Sequence, residues 1–273
     1  MTVRSLVWLL LLAIACGGKS ADSADTGGAA ASTTADADTD TDADADTDAD
    51  ADADADADTD TDADSDTDAG VPLAGLGEIT GDCGVLTLDA TATAGAHLYR
   101  LDLDFGAEVW DVYALSEGGQ EIIDDGNLGG SSVESEAVAF DVLHRCELAE
   151  LVKTEGEITY DDPAGKKTDV LVIVDGIRVG VSVTRAFHYP PEDGLGIEEA
   201  TDLLNGKLAD ILVSADNASD ADEWDVSFLA VVAWDDQHAD MIQTAWSTLD
   251  PGIRDGTRVF ITATHGDADA VLY

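Results

Sequence analysis

Positive charge is scarce in this chain. Its 273 residues hold 12 Lys and Arg against 59 Asp and Glu; beyond position 70 ten basic residues face forty acidic ones, so residues 71–273 carry a net charge near −30. Nucleic-acid binding rests on Lys and Arg neutralising phosphates, and such a field opposes it at low salt. The same field suits a protein that meets salt outside the cell, where screening shortens the range of self-repulsion. Long apolar runs are missing too: after residue 15 no stretch reaches the roughly 18 apolar residues of a membrane-spanning helix. Cysteine is limited to Cys16, Cys83 and Cys146. There is no zinc-type cysteine pairing, no G-x-S-x-G and no phosphate loop.

What is present begins with "MTVRSLVWLLLLAIA", one basic residue (Arg4) followed by ten apolar residues from Leu6 to Ala15. This is the pattern of an export signal, too short to span a bilayer. "LAIAC" resembles the bacterial lipobox, which implies that residues 1–16 are a lipoprotein-type signal ending in a lipidated Cys16, and that the protein sits in the cell envelope with the membrane as partner. Ala13-Ile14-Ala15 also fits an ordinary A-x-A cleavage site, which would give a secreted chain.

Residues 17–70 read as a tether. Every even-numbered position from Asp36 to Asp68 is Asp, seventeen in all, separated by Ala, Thr or Ser. A strand built this way would have one face of carboxylates and another too small to bury anything, so the expectation is disorder. Calcium is the sharper alternative, but an EF-hand-type loop needs a turn Gly and a closing Glu, and the run has neither. With Cys16 acylated, Cys83 and Cys146 form an even pair in a compartment that permits disulfides. A bridge between them is expected; two buried free thiols are the alternative.

Residues 71–130 read as β-rich. "HLYRLDLDF" alternates Tyr99, Leu101, Leu103 and Phe105 with Arg100, Asp102 and Asp104, a half-buried strand. Residues 131–273 read as an α/β domain. Ser131 and Glu134 suggest a capping box opening a helix that can run to about Val152, with Ala137, Phe140, Leu143, Leu148 and Leu151 in one arc. Glu136, His144 and Glu147 share that arc, and a carboxylate on a core-facing stripe is costly unless paired or bound to a metal. "EITY" (157–160) reads as a short strand. Then come a hairpin turning on Asp175-Gly176, a helix in "GIEEATDLLNGKLADIL" with Lys207 on its apolar stripe, and a strand in "WDVSFLAVVAW". A helix capped by Asp235 or Asp236 and strands in "TRVFITATHG" and "AVLY" follow. The fold class is α/β, a mixed central sheet flanked by helices. His265 with Asp267 and Asp269, and His238 with Asp240, have metal-compatible types but read as solvated.

If Asp175-Gly176 is a two-residue turn, opposed residue numbers sum to 351, so Asp169 faces Ser182 and Lys167 faces Thr184. The αβββαβ order, the Asp opening the second strand and the "VSVT" on the third resemble the PD-(D/E)XK nuclease superfamily, the restriction-endonuclease-like fold. The resemblance covers roughly residues 131–234. It implies a strand-two Asp (Asp169) and a strand-three acid holding Mg²⁺ or Mn²⁺, with a Lys two residues on orienting the nucleophile. Ser182 stands at the second acid's position and Thr184 at the lysine's. Glu136 or Glu147 from the first helix, Glu157 and Lys207 or Lys167 are the residues that could replace them; Asp169 and Glu136 are the candidate metal ligands. The degenerate motif favours a non-catalytic binding or structural role. A divergent metal-dependent nuclease, with nucleic acid as partner only in that case, is the alternative, and an adhesive surface module a third. No protein partner is indicated.

Overall fold

The computed structural model describes residues 71–86, 88, 97–129, 132–254 and 256–273. Cys16, the aspartate run and Ser131 lie outside the described residues. No described helix is long and apolar enough to cross a membrane.

Among the described residues, seven strands form one mixed sheet in the order β1-β2-β7-β6-β5-β4-β3. They are β1 (Glu78–Gly81), β2 (Leu98–Asp104), β3 (Glu150–Thr154), β4 (Val170–Val174), β5 (Ile177–Ala186), β6 (Val226–Ala233) and β7 (Thr257–His265). β2, β7, β6 and β5 pair in parallel, while β1, β3 and β4 join through antiparallel ladders. The chain is therefore α/β, a mixed sheet flanked by helices, as the alternation of patterns predicts. Helices α1 (Glu117–Asp125) and α2 (Val133–Glu147) cover one face, and α3 (Ile197–Asn217) and α4 (Asp236–Thr248) the other. β6 and β7 are buried on both faces, which is why "FLAVVA" and "VFITAT" are nearly continuous in small and apolar residues.

From α2 onward the order of helices and strands is α2-β3-β4-β5-α3-β6-α4-α5-β7, α5 being the single turn Pro251–Arg254. Several boundaries differ from the sequence reading. The N-cap of α2 is Ser132, whose hydroxyl bonds Glu136 instead of a backbone amide. The helix stops at Glu147, because Leu148 takes a left-handed conformation (φ 54°), and the residues given to its last turn form β3 instead. "EITY" is consequently not a strand; only Tyr160 makes an isolated bridge, to Ala218. "AVLY" closes as a 3₁₀ turn (Asp269–Leu272), with the Tyr273 ring stacked on Phe187 and its hydroxyl 3.1 Å from Thr264 Oγ1. α2 is buried nearly all round, because α1 packs on its outer side, so no single stripe describes it.

Three consecutive residues at the end of α2 grip the segment that leads into the domain. The buried Arg145 guanidinium donates to the carbonyls of Leu73 (2.8 Å), Leu76 (2.7 Å) and Gly77 (2.8 Å). Cys146 is disulfide-bonded to Cys83, 63 residues away. The Glu147 carboxylate accepts the Gly84 N–H at 2.9 Å.

Candidate functional site

The hairpin holds its expected register from Val174↔Ile177 to Val170↔Val181. Beyond Val170 it slips by one. Asp169 donates its N–H to Val181 O, and it is Thr168, not Asp169, whose hydroxyl meets Ser182 Oγ, at 3.1 Å. Asp169 and Val170 thus both lie against Val181, the arrangement of a bulge, which re-aims the side chain of the extra residue. The cause lies upstream: the Tyr160 hydroxyl accepts the Thr168 N–H at 2.9 Å and bends the chain out of the ladder. Asp169 then turns its carboxylate onto the edge of β5, where Oδ2 accepts the Val183 N–H at 2.6 Å. The carbonyl of the same residue receives Lys207 Nζ at 3.4 Å, from α3.

Two further carboxylates converge there. Glu136, buried on α2, and Glu155, at the end of β3, each bring an oxygen into one group with Asp169 in which the three ligand atoms lie within 4.8 Å of one another. Glu136 Oε1 is positioned by Ser132 Oγ (2.8 Å) and Asn127 Nδ2 (3.1 Å), and Glu155 Oε2 by the Leu128 N–H (2.8 Å). The loop between α1 and α2 therefore orients two of the three acids. Burial pushes the Asp169 carboxyl up to about 7, and the neighbouring charges of Glu136 and Glu155 add to the rise. The Val183 N–H and Lys207 pull the other way. Three carboxylate oxygens from three elements form a hard, oxygen-only donor set, which fits Mg²⁺ or Mn²⁺.

The remaining sequence candidates lie elsewhere. Glu147 is eleven residues along α2 from Glu136, about 16 Å at 1.5 Å per residue; burial pushes its carboxyl up to about 7, and the amides of Gly84, Leu86 and Val85 hold it. Glu157 is exposed, caps the Thr154 N–H at 3.1 Å and groups with Glu121 and Asp125. Because β3 ends at Thr154, the acid at its carboxyl end is Glu155, not Glu157. The Lys167 ammonium lies 5.8 Å from the centre of the Tyr160 ring. Ser182 and Thr184 pair with Leu229 and Val231, on the α3 side of the sheet, whereas Val181 and Val183 share the α2 side with Phe228 and Ala230. Glu155 was legible only with the strand boundary, since position 155 otherwise falls in a gap between predicted elements. His238, expected in solvent, is fully buried with Nδ1 2.6 Å from Asp235 Oδ1. His265 faces Asp102 and Asp236, at 3.9 Å each.

No family model matches the chain. Among curated proteins it is similar to the AAC-rich mRNA clone AAC4 protein of Dictyostelium discoideum, 35% identical over 155 residues, which are 55% of this chain and 22% of that protein. The chain thus spans less than a quarter of that relative's length. Among solved structures, SfsA of Pyrococcus furiosus in complex with Ca²⁺ aligns with 48% of this chain and 56% of its own, at 11% identity and a TM-score of 0.23.

Proposed function

We propose that this is an exported, lipid-anchored envelope protein whose domain binds a divalent cation through Glu136, Glu155 and Asp169 and acts as a divergent metal-dependent phosphodiesterase. The observation that carries the reading is the convergence of three carboxylate oxygens within 4.8 Å, with Lys207 reaching the carbonyl of Val183, the residue whose N–H holds Asp169. The α2-β3-β4-β5-α3-β6 order and the acid opening β4 support a PD-(D/E)XK-like assignment. In this reading Glu136 and Glu155 replace the acid missing at Ser182, and Lys207 replaces the lysine missing at Thr184. A bound Mg²⁺ or Mn²⁺ would polarise a phosphoryl oxygen and lower the pKa of water. The protein's own residues hold the ligands in place, and Lys207 supplies the local positive charge. Cys16 would fix the domain to the membrane and residues 17–70 would set its distance from it.

A second reading has a specific observation behind it. The charge near −30 favours a cation-stabilised surface module without a nucleic-acid substrate. One experiment separates the two: the full-length chain is incubated with DNA and RNA in Mn²⁺ or Mg²⁺ at low and high salt, beside Asp169→Asn, while melting is followed with and without the ion. Cleavage lost in the variant supports the phosphodiesterase. A metal-dependent rise in Tm without cleavage leaves the surface module, and the absence of both cleavage and a metal-dependent rise removes the metal site.

A further inference from the structure

Opposed pairs in an antiparallel ladder alternate between those that exchange both backbone hydrogen bonds and those that exchange none. Val174 and Ile177 close the hairpin turn, and counting in twos through Val172↔Val179 and Val170↔Val181 makes Thr168 and Val183 the next pair due to exchange both. All four of their backbone groups have other partners. The Thr168 N–H donates to the Tyr160 hydroxyl at 2.9 Å, and Thr168 O accepts from the same hydroxyl at 3.3 Å. The Val183 N–H goes to the Asp169 carboxylate and the Val183 carbonyl to Lys207. One rung of the ladder has been replaced by three side chains, with no buried backbone group left unsatisfied.

The exchange decides on which side of the sheet Asp169 lies. In the regular register Asp169 would face Ser182, whose side chain is on the α3 side with Leu229. Successive side chains alternate between faces, so one residue of slip carries the carboxylate to the opposite one. Only the slipped register brings it to Glu136 and Glu155. Tyr160 is anchored where it can hold that slip. Its backbone bridges Ala218, the Asp161 N–H donates to Asn217 O at 2.9 Å, and the Asp162 N–H donates to Asn217 Oδ1 at 2.9 Å. The ring is thereby fixed to the end of α3, the helix that also supplies Lys207. Burial pushes the Tyr160 hydroxyl up to about 12, so it stays protonated and donates as well as accepts.

We infer that the end of β4 has two registers and that Tyr160 is the positioning residue that selects the one containing the metal site, an inference that rests on the metal-binding reading of Glu136, Glu155 and Asp169. Phenylalanine at position 160 keeps the ring but leaves both Thr168 groups without their partner, and an unmade buried bond is costly. The regular rung with Val183 restores both bonds, and in doing so it releases Asp169 toward Ser182 and Lys207 from the Val183 carbonyl. A divalent ion ligated by all three acids binds the slipped register alone. The ion and the Tyr160 hydroxyl therefore stabilise the same state, and each strengthens the other.

The test compares the full-length wild type with Tyr160→Phe by NMR and by Mn²⁺ binding. Across a pair that exchanges no hydrogen bonds the two strands approach most closely, so Asp169 facing Ser182 gives a strong Hα–Hα Overhauser contact. That contact should be absent from the wild type, appear in metal-free Tyr160→Phe and fade from the variant as Mg²⁺ is raised. Mn²⁺ affinity should fall about 10- to 100-fold in the variant. The contact in metal-free wild type, its absence from metal-free Tyr160→Phe, or equal Mn²⁺ affinity in the two proteins overturns the inference, and the first of these is read without any variant. A wild type that binds no Mn²⁺ removes the metal reading alone; the contact in Tyr160→Phe then still decides whether Tyr160 places Asp169.

Discussion

The carboxylate of Asp169 accepts the amide of Val183 at 2.6 Å, while the carbonyl of Val183 receives Lys207. One edge residue of β5, deprived of its β4 partner by the slip at Asp169, is thus satisfied by an acid on one side and a base on the other. A backbone gap in the ladder has become the fixed point of a polar site.

That position makes Asp169 a pH-dependent cost. Its carboxyl is raised from 3.8 to about 7, so the folded state binds the extra proton between those values. The stabilisation from the protonated form is fully present below about pH 3.8 and is lost as pH rises through 7. Without metal, Asp169→Asn should match the wild type near pH 4 and be more stable at pH 8, by about 2 to 4 kcal/mol. Urea titrations across pH 4–8 check this; a constant difference would refute it.

The metal site predicts a contrast between two glutamates separated by one glycine. Glu155→Gln should weaken Mn²⁺ binding by about 10- to 100-fold and abolish the metal-dependent rise in Tm. Glu157→Gln, exposed and outside the group, should leave both intact. Binding should also fade as pH falls below 7, because Asp169 must lose its proton to ligate. Thermal melts with and without Mn²⁺ at pH 6 and 8 read all three outcomes.

Sequence patterns reached the layers but not the joints. The hairpin register followed from Asp175-Gly176, because that turn admits one pairing and Asp175 does adopt a positive φ of 50°. Glu136 stood out because it fell on the arc facing the core. Nothing local announced that Leu148 would end α2 or that β3 would take the next five residues. That outcome depends on α1 covering Phe140 from outside and on β4 needing an edge partner. Glu155 was invisible for the same reason, as was the partnership of His265 with Asp102, 163 positions earlier in the chain. Contacts between distant strands leave no periodicity to read.

The grip on residues 73–86 should be a large part of the domain's stability. Closing a loop of about 64 residues stabilises by about 4 kcal/mol on the chain-entropy model, so replacing Cys83 and Cys146 by Ser should cost roughly that much in urea unfolding. Arg145→Met leaves three carbonyls without their donor and the buried Asp141, 3.7 Å from Arg145 Nη1, without its ion-pair partner, and a cost of about 3 to 5 kcal/mol is expected. Because both changes act on one segment, the double variant should cost less than their sum.

Gly180 in β5 is set by a ring. The indole of Trp224 lies directly over it, where a Cβ would collide with the ring atoms. Gly180→Ala should push the indole out, break its 3.0 Å hydrogen bond to Ser227 Oγ and cost about 1 to 3 kcal/mol. Near-ultraviolet circular dichroism and urea unfolding would register the change. An unchanged spectrum with wild-type stability would show that the strand absorbs the methyl.

Lys207 separates catalysis from architecture. Its ammonium reaches Val183 O at 3.4 Å and draws down the Asp169 carboxyl without pairing with it directly. If the site hydrolyses phosphodiesters, Lys207→Met should lower turnover at saturating Mn²⁺ by at least about 100-fold, while the metal-dependent rise in Tm persists, because the three ligand oxygens remain. If Lys207 is only a charge partner, the same variant raises the pKa of Asp169 further, shifts metal binding to higher pH and leaves any cleavage rate at saturating metal unchanged. Measuring turnover and metal-dependent melting on one preparation, from pH 6 to 9, distinguishes a group acting on substrate from one acting on Asp169.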